Sequence, residues 1–132
     1  MRTLPGARIL VIDDDPNQVR ILRTCLRQDG HQVLGAFTGD SGLGLFMKSG
    51  PDLVVLDIGL PGGPSGLEVL KSIHTVNPNT KVIMVTGNTD PERARKALEL
   101  GAIAYVDKPF DCDYLKRVVA MALREGAKTT DS

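Results

Sequence analysis

Residues 52–61 read D-L-V-V-L-D-I-G-L-P, an apolar run at 53–56 that passes directly into a carboxylate, Asp57. A run without polar alternation predicts a strand covered on both faces, as in a parallel sheet, and Gly59 and Pro61 close it. Asp57 then stands at the strand's carboxyl end. In open α/β sheets that edge holds ligands, because loops rather than packed side chains fill it.

Working outward from this strand, the chain alternates strand and helix signals. Upstream, R-I-L-V-I at 8–12 is a short β-branched run that ends in Asp13, Asp14, Asp15 and Pro16. Asp15 and Pro16 suit the N-cap and first turn of a helix whose face carries Val19, Leu22 and Leu26, widened by Ile21 and Cys25, as far as Gly30. A second strand is expected within 31–37, around Val33 and Leu34, then a helix over 40–48 weakened by Gly42 and Gly44.

Downstream, beyond the loop 59–64, Ser65 and Glu68 form an S-x-x-E capping box for a helix with Leu67, Leu70 and Ile73 on its buried stripe. A fourth strand over 81–85 ends at Thr86. Asp90 and Pro91 open a helix with a small face, Ala94 and Ala97 with Leu98, closed by Gly101. A fifth strand over 102–106 leads into Asp107, Lys108 and Pro109. Asp111 caps the last helix, with Leu115, Val118, Val119, Ala122 and Leu123 on its apolar face, and Gly126 is expected to end it. The expected organisation is a lead-in at 1–6, one domain over 7–125 and a polar tail at 126–132.

Five strands alternating with five helices predict a doubly wound five-stranded parallel sheet of the flavodoxin-like (βα)5 class, strand order 2-1-3-4-5. Its switch point lies between the first and third strands, which end in the carboxylates at 13–15 and in Asp57. Thr86 and Lys108 reach the same edge from the fourth and fifth strands. Crowded carboxylates repel one another unless a cation joins them, and all-oxygen ligation suits Mg²⁺ or its analogue Mn²⁺. An Asp in such a place can act as a nucleophile toward phosphorus and give an aspartyl phosphate, its charge neutralised by the metal and Lys108 while Thr86 donates to a third oxygen.

Composition narrows the alternatives. With 132 residues, 42% hydrophobic, and 16 basic residues against 16 acidic, the chain fits a single core and has no global field that would draw it to nucleic acid. No apolar run is long enough to span a bilayer, so a cytoplasmic protein without membrane insertion is expected. Cys25 and Cys112 lie far apart outside any C-x-x-C pattern, which is read as two reduced thiols. His31 and His74 have no partner spacing. Asp15 and Asp52 are read as a helix cap and a solvated strand-start residue rather than metal ligands.

Taken together, I-L-V-I-D-D-D-P at 9–16, D-L-V-V-L-D-I-G-L-P-G at 52–62, V-I-M-V-T-G at 82–87 and Y-V-D-K-P-F at 105–110 resemble the receiver domain of two-component response regulators, over about residues 7–125. By that resemblance Asp57 matches the phosphoacceptor, Asp13 and Asp14 the acidic pair, Thr86 the switch hydroxyl and Lys108 the lysine before Pro109, whose peptide bond is cis in the family. The resemblance also implies metal ligation by the main-chain carbonyl of Gly59, a switching role for Tyr105 and an influence of Gly59 and Asn88 on dephosphorylation. It implies a histidine kinase or phosphotransfer protein as phosphodonor, and a downstream effector, output domain or homodimer partner on the face of the fourth helix, fifth strand and fifth helix. Such a chain signals rather than catalyses, either alone or as the first domain of a longer regulator.

One departure from the family pattern is the loop L-P-G-G-P-S-G, which carries one residue more than the usual P-G-x-D-G and lacks its Asp. Other classes fit less well. A haloacid-dehalogenase-like phosphatase needs a second acid two residues after the first, where Gly59 stands, and a flavin-binding flavodoxin needs a phosphate loop where three carboxylates would repel it. The remaining competitor is a receiver-like contact module that works without phosphate, against which Asp14, Asp57, Thr86 and Lys108 argue.

Overall fold

The apolar run that leads into Asp57 becomes the central strand of a parallel sheet in the computed structural model, which describes residues 6–87 and 90–129. The elements in chain order are β1 (Arg8–Ile12), α1 (Pro16–Arg27), β2 (Gln32–Ala36), α2 (Gly39–Ser49), β3 (Leu53–Asp57), α3 (Gly66–Val76), β4 (Lys81–Thr86), α4 (Pro91–Glu99), β5 (Ala104–Asp107) and α5 (Cys112–Thr129). The five strands lie in the order β2-β1-β3-β4-β5, the doubly wound arrangement expected from the alternation.

Because successive side chains of a strand point to opposite faces, the fully apolar runs feed two cores at once. Leu10, Ile12, Val54, Leu56, Val82 and Met84 join Phe46, Val69, Leu70, Ile73 and Ala97, from α2, α3 and α4. Ile9, Val11, Leu53, Val55, Ile83 and Val85 join Val19, Leu22, Leu26, Leu115 and Val119, from α1 and α5. The helices start at capping residues, those of α1, α3 and α4 as read from the sequence and that of α2, Thr38, only in the structure. Asp15, Ser65 and Asp90 each accept a backbone N–H of their helix's first turn, and Thr38 forms with Ser41 a capping box that opens α2.

Two glycines set how closely helices approach the sheet. A Cβ at Gly42 of α2 would lie 2.5 Å from Cδ1 and 2.8 Å from Cγ1 of Ile12, and one at Gly35 of β2 would lie 2.6 Å from Cγ1 of Val19. The glycines that weaken α2 as a helix therefore differ in kind, since Gly44 meets nothing within 4 Å.

Several expectations need correction. Cys25 and Cys112 are joined by a disulfide rather than present as thiols. Their separation in sequence hides the fact that α1 and α5 cover the same sheet face, which brings the two Cα atoms to 5.9 Å, within bridging range. Ile21 is 50% exposed, because Val19, Leu22, Cys25 and Leu26 already complete the packed face of α1. Leu98 is 51% exposed, and Ala97 is the residue of α4 that is fully buried.

β5 begins at Ala104 rather than 102, because the Ala102 N–H is drawn to the Ala97 carbonyl at the end of α4. The backbone of α5 continues through Gly126 to Thr129. Strong helix formers flank that glycine in sequence, so its cost of about 1 kcal/mol does not end the helix. His74 has a structural place, its Nδ1 lying 3.0 Å from the Leu100 carbonyl and its Nε2 3.0 Å from the Thr80 carbonyl, between α3 and the ends of α4 and the α3–β4 turn. Among the described residues no helix is long and apolar enough to cross a membrane.

Candidate functional site

Strand register assembles the site. Ile12 pairs with Leu56, so the residues that follow them, Asp13 and Asp57, leave adjacent strands at the same level. Asp57 pairs with Val85 and Thr86 with Asp107, which carries Thr86 and the next residue after Asp107, Lys108, to the same edge. The four sequence positions singled out from four separate stretches are thus brought to one edge of the sheet.

Their side chains converge further than topology alone requires. Asp13, Asp14 and Asp57 each offer a carboxylate oxygen such that all three atoms lie within 4.8 Å of one another, an oxygen-rich set suited to a hard divalent cation. Asp13 is only 2% exposed and Asp57 7%, whereas Asp14 faces solvent. The Lys108 ammonium donates to Asp13 Oδ2 at 2.9 Å and lies 3.7 Å from Asp57 Oδ2. Asp13 is oriented by the Asp15 N–H on its Oδ1 at 3.0 Å, and Asp57 by the Gly59 N–H on its Oδ1 at 3.1 Å.

These environments set the ionisation of the two central groups. Burial pushes the Asp57 carboxyl above the ordinary carboxylate value; the Gly59 hydrogen bond opposes this, the Asp13 charge adds to it, Lys108 opposes it and Asp14 adds to it. For Lys108, burial works against the charged form, but the Asp13 hydrogen bond and the charges of Asp57, Asp13 and Asp14 outweigh it, so its ammonium is held above the usual lysine value. The site therefore sets one lysine ammonium among three carboxyl groups, an oxygen-rich donor set that suits a further cation.

The loop after Asp57 folds tightly against its surroundings despite its extra residue. Gly62 and Gly63 take left-handed conformations, with φ of 60° and 55°, which a side chain would disfavour. Pro64 is pressed on the start of α2, where a Cβ at Gly39 would come within 2.7 Å of the Pro64 carbonyl. Gly66, at the head of α3, has no room for a Cβ against the Asp57 carbonyl and the Ile58 backbone. Gly59 is different: the one atom near its imagined Cβ is Asp57 Oδ1 at 3.9 Å. A hollow of about 210 Å³ opens beside it, lined by Ile58, Gly59, Leu60, Ser65, Leu67 and Arg93.

Thr86 is 2% exposed at the end of β4. Tyr105 pairs with Met84 and packs against the core under α2, α3 and α4, so by strand parity it shares a sheet face with Thr86. Its hydroxyl oxygen is buried without a hydrogen-bond partner among the described residues, and burial, followed by the Asp107 and Asp90 charges and opposed by Arg93, raises its pKa. The Lys108–Pro109 bond is cis, as the resemblance implies. Asn88 lies outside the described residues.

Comparison with known proteins gives the family and the fold. The profile of the response regulator receiver domain matches residues 9–120. The chain belongs to that family. This receiver domain is 38% identical over 117 residues to regulatory protein AtoC of Escherichia coli strain K12, covering 89% of the chain and 25% of that protein. It is 33% identical over 112 residues to sporulation initiation phosphotransferase F of Bacillus subtilis strain 168, covering 85% of the chain and 90% of that protein. The crystal structure of a CheY-like response regulator receiver domain protein from Methanospirillum hungatei JF-1 superposes with a TM-score of 0.90 at 33% identity, covering 94% of this chain and 98% of that one.

The receiver domain thus spans a quarter of the first of these relatives and nearly all of the second. What the sequence did not reveal is the Asp13–Lys108 pair and the disulfide. Lysine reach across three strands has no sequence signature, and two cysteines 87 residues apart reveal their proximity only once α1 and α5 are placed on one face.

Proposed function

We propose that this receiver domain accepts a phosphoryl group on Asp57 from a histidine kinase or a phosphotransfer protein. The observation that carries the reading is the carboxylate trio of Asp13, Asp14 and Asp57 with Lys108 inserted at 2.9 Å from Asp13 and 3.7 Å from Asp57. Three acids with one lysine leave net negative charge at a buried place, and oxygen donors of this kind fit Mg²⁺ or Mn²⁺. Asp13, Asp14 and Asp57 would hold the ion, together with the Gly59 carbonyl. When bound, the ion supplies positive charge that offsets the carboxylates and the oxygens of the incoming phosphoryl group.

In the transfer an Asp57 oxygen forms a bond to phosphorus while the donor's bond to phosphorus breaks, its electron pair leaving with the donor nitrogen or oxygen. Lys108 neutralises charge on the transferred oxygens and Thr86 donates its hydroxyl to one of them. The open space beside Gly59 leaves room for the donor and later for a water that attacks phosphorus, a step that Asn88 tunes. Thr86 and Tyr105 share the sheet face under α4, so movement of the Thr86 hydroxyl toward the phosphoryl group is transmitted to the α4-β5-α5 surface, where an effector, an output domain or a second copy docks.

The domain acts in the cytoplasm as a signalling phosphoacceptor, without direct contact with nucleic acid. Relatives support both uses of such a domain: one of similar length is named a phosphotransferase, and a longer one is a regulatory protein. Adding beryllium fluoride with Mg²⁺, a tetrahedral mimic of the phosphoryl group, tests the reading by amide NMR. Shifts are expected at Thr86, Tyr105 and α4 in the wild type and none in Asp57→Asn. Unchanged wild-type spectra would overturn it.

A further inference from the structure

We propose that Cys25–Cys112 is a reversible thiol–disulfide exchange site whose substrate is a dithiol reductant, and that its state sets how firmly the first turn of α5 and the Lys108 loop are held against α1. The pair joins the two helices that cover one sheet face, across 87 residues of sequence. It differs from a buried structural bridge in access. Cys25 is 3% exposed, but Cys112 is a partly exposed residue, so an incoming thiolate would approach the bridge from the Cys112 side.

Cys112 also occupies the first turn of α5, after the Asp111 cap that accepts the Asp113 N–H at 2.9 Å. A thiolate at a helix start is favoured by the unpaired N–H groups there, which makes Cys112 a good leaving group from a mixed disulfide. In the exchange, one thiolate of the reductant attacks Cys112 Sγ, the S–S bond breaks and Cys25 leaves as a thiolate that takes up a proton. The reductant's second thiolate then attacks its own sulfur in the mixed disulfide and releases Cys112. The reductant ends as a disulfide, two electrons having passed to the cysteines, and a small-molecule disulfide such as oxidised glutathione reverses the sequence.

Two further observations give the exchange a consequence short of unfolding. Leu115, Val119 and Ala122 are buried in the core apart from the bridge, and that burial is expected to keep α5 seated once the sulfurs separate. Outside the bridge, the first turns of α5 are tied to α1 by the exposed hydrogen bond from Lys116 Nζ to Gln28 Oε1 at 2.6 Å. Cys112 stands four residues after Lys108, and that short link carries the looseness toward the carboxylate cluster. In the reducing compartment proposed above, a disulfide of this kind is transient by nature.

The test treats the native wild-type chain with dithiothreitol, then with oxidised glutathione, counting free thiols by alkylation and intact mass and following hydrogen exchange. Two alkylated thiols under native reduction, none after reoxidation, and about tenfold faster exchange in residues 105–116 of the reduced form are expected. Cys112→Ser should match the reduced form and ignore the reductant. A bridge that native dithiothreitol does not open, or one that opens without changing exchange at 105–116, would overturn the proposal. Neither readout depends on Asp57, so failure of the phosphoacceptor reading would leave them in place.

Discussion

In the proposed function Asp57 combines two demands that oppose each other, a charge for chemistry and a buried position that resists it. Burial raises its pKa, so ionising it costs the folded state more than the unfolded one. The sign follows directly. The cost is absent below the ordinary carboxylate value and fully present above the raised one. Asp57→Asn should therefore raise the melting temperature at pH 7 in EDTA, with the gain shrinking as pH falls through the carboxylate range, as thermal melts across pH would measure. A variant less stable than wild type at pH 7 would mean that Lys108 compensates the Asp57 charge in full. At this scale the sequence was informative about identity and silent about reach. Asp13, Asp14, Asp57, Thr86 and Lys108 could be picked out by their place after apolar runs, but the Lys108–Asp13 bond depends on side-chain conformations that no spacing encodes.

Elements were legible where a local rule governs them. The S-x-x-E pattern and the Asp-Pro pairs marked helix starts because their hydrogen bonds are made within the first turn. Helix faces were less legible, since periodicity gives a stripe but not the width that neighbours cover. Ile21 and Leu98 lie past that width and remain exposed. Gly42 and Gly44, the two glycines in the interior of α2, show the same limit, because both lower helix propensity equally on paper. Gly42 faces Ile12 at 2.5 Å, so Gly42→Ala should lose about 1–3 kcal/mol in urea unfolding through overpacking. Gly44 has open space, and Gly44→Ala should gain roughly 0.5–1 kcal/mol. Equal effects at the two sites would show that α2 is not held against β1 as described.

The whole molecule was the most legible level, because alternation of strands and helices leaves few topologies once crossovers are right-handed. The order β2-β1-β3-β4-β5 then brings the ends of β1 and β3 together and makes a carboxylate cluster from two distant stretches. The disulfide was illegible for a related reason: it depends on which helices share a face, and the cysteines contribute nothing to deciding that. The same topology that hides the bridge also creates the site, so the central claim can be tested in one measurement. Intact mass after incubation with acetyl phosphate and Mg²⁺, with and without EDTA, reads covalent transfer directly. One added phosphoryl group is expected in the wild type with Mg²⁺, and none with EDTA or in Asp57→Asn. No added mass in the wild type, or an equal gain in Asp57→Asn, would contradict the account and favour a receiver that works by protein contact alone.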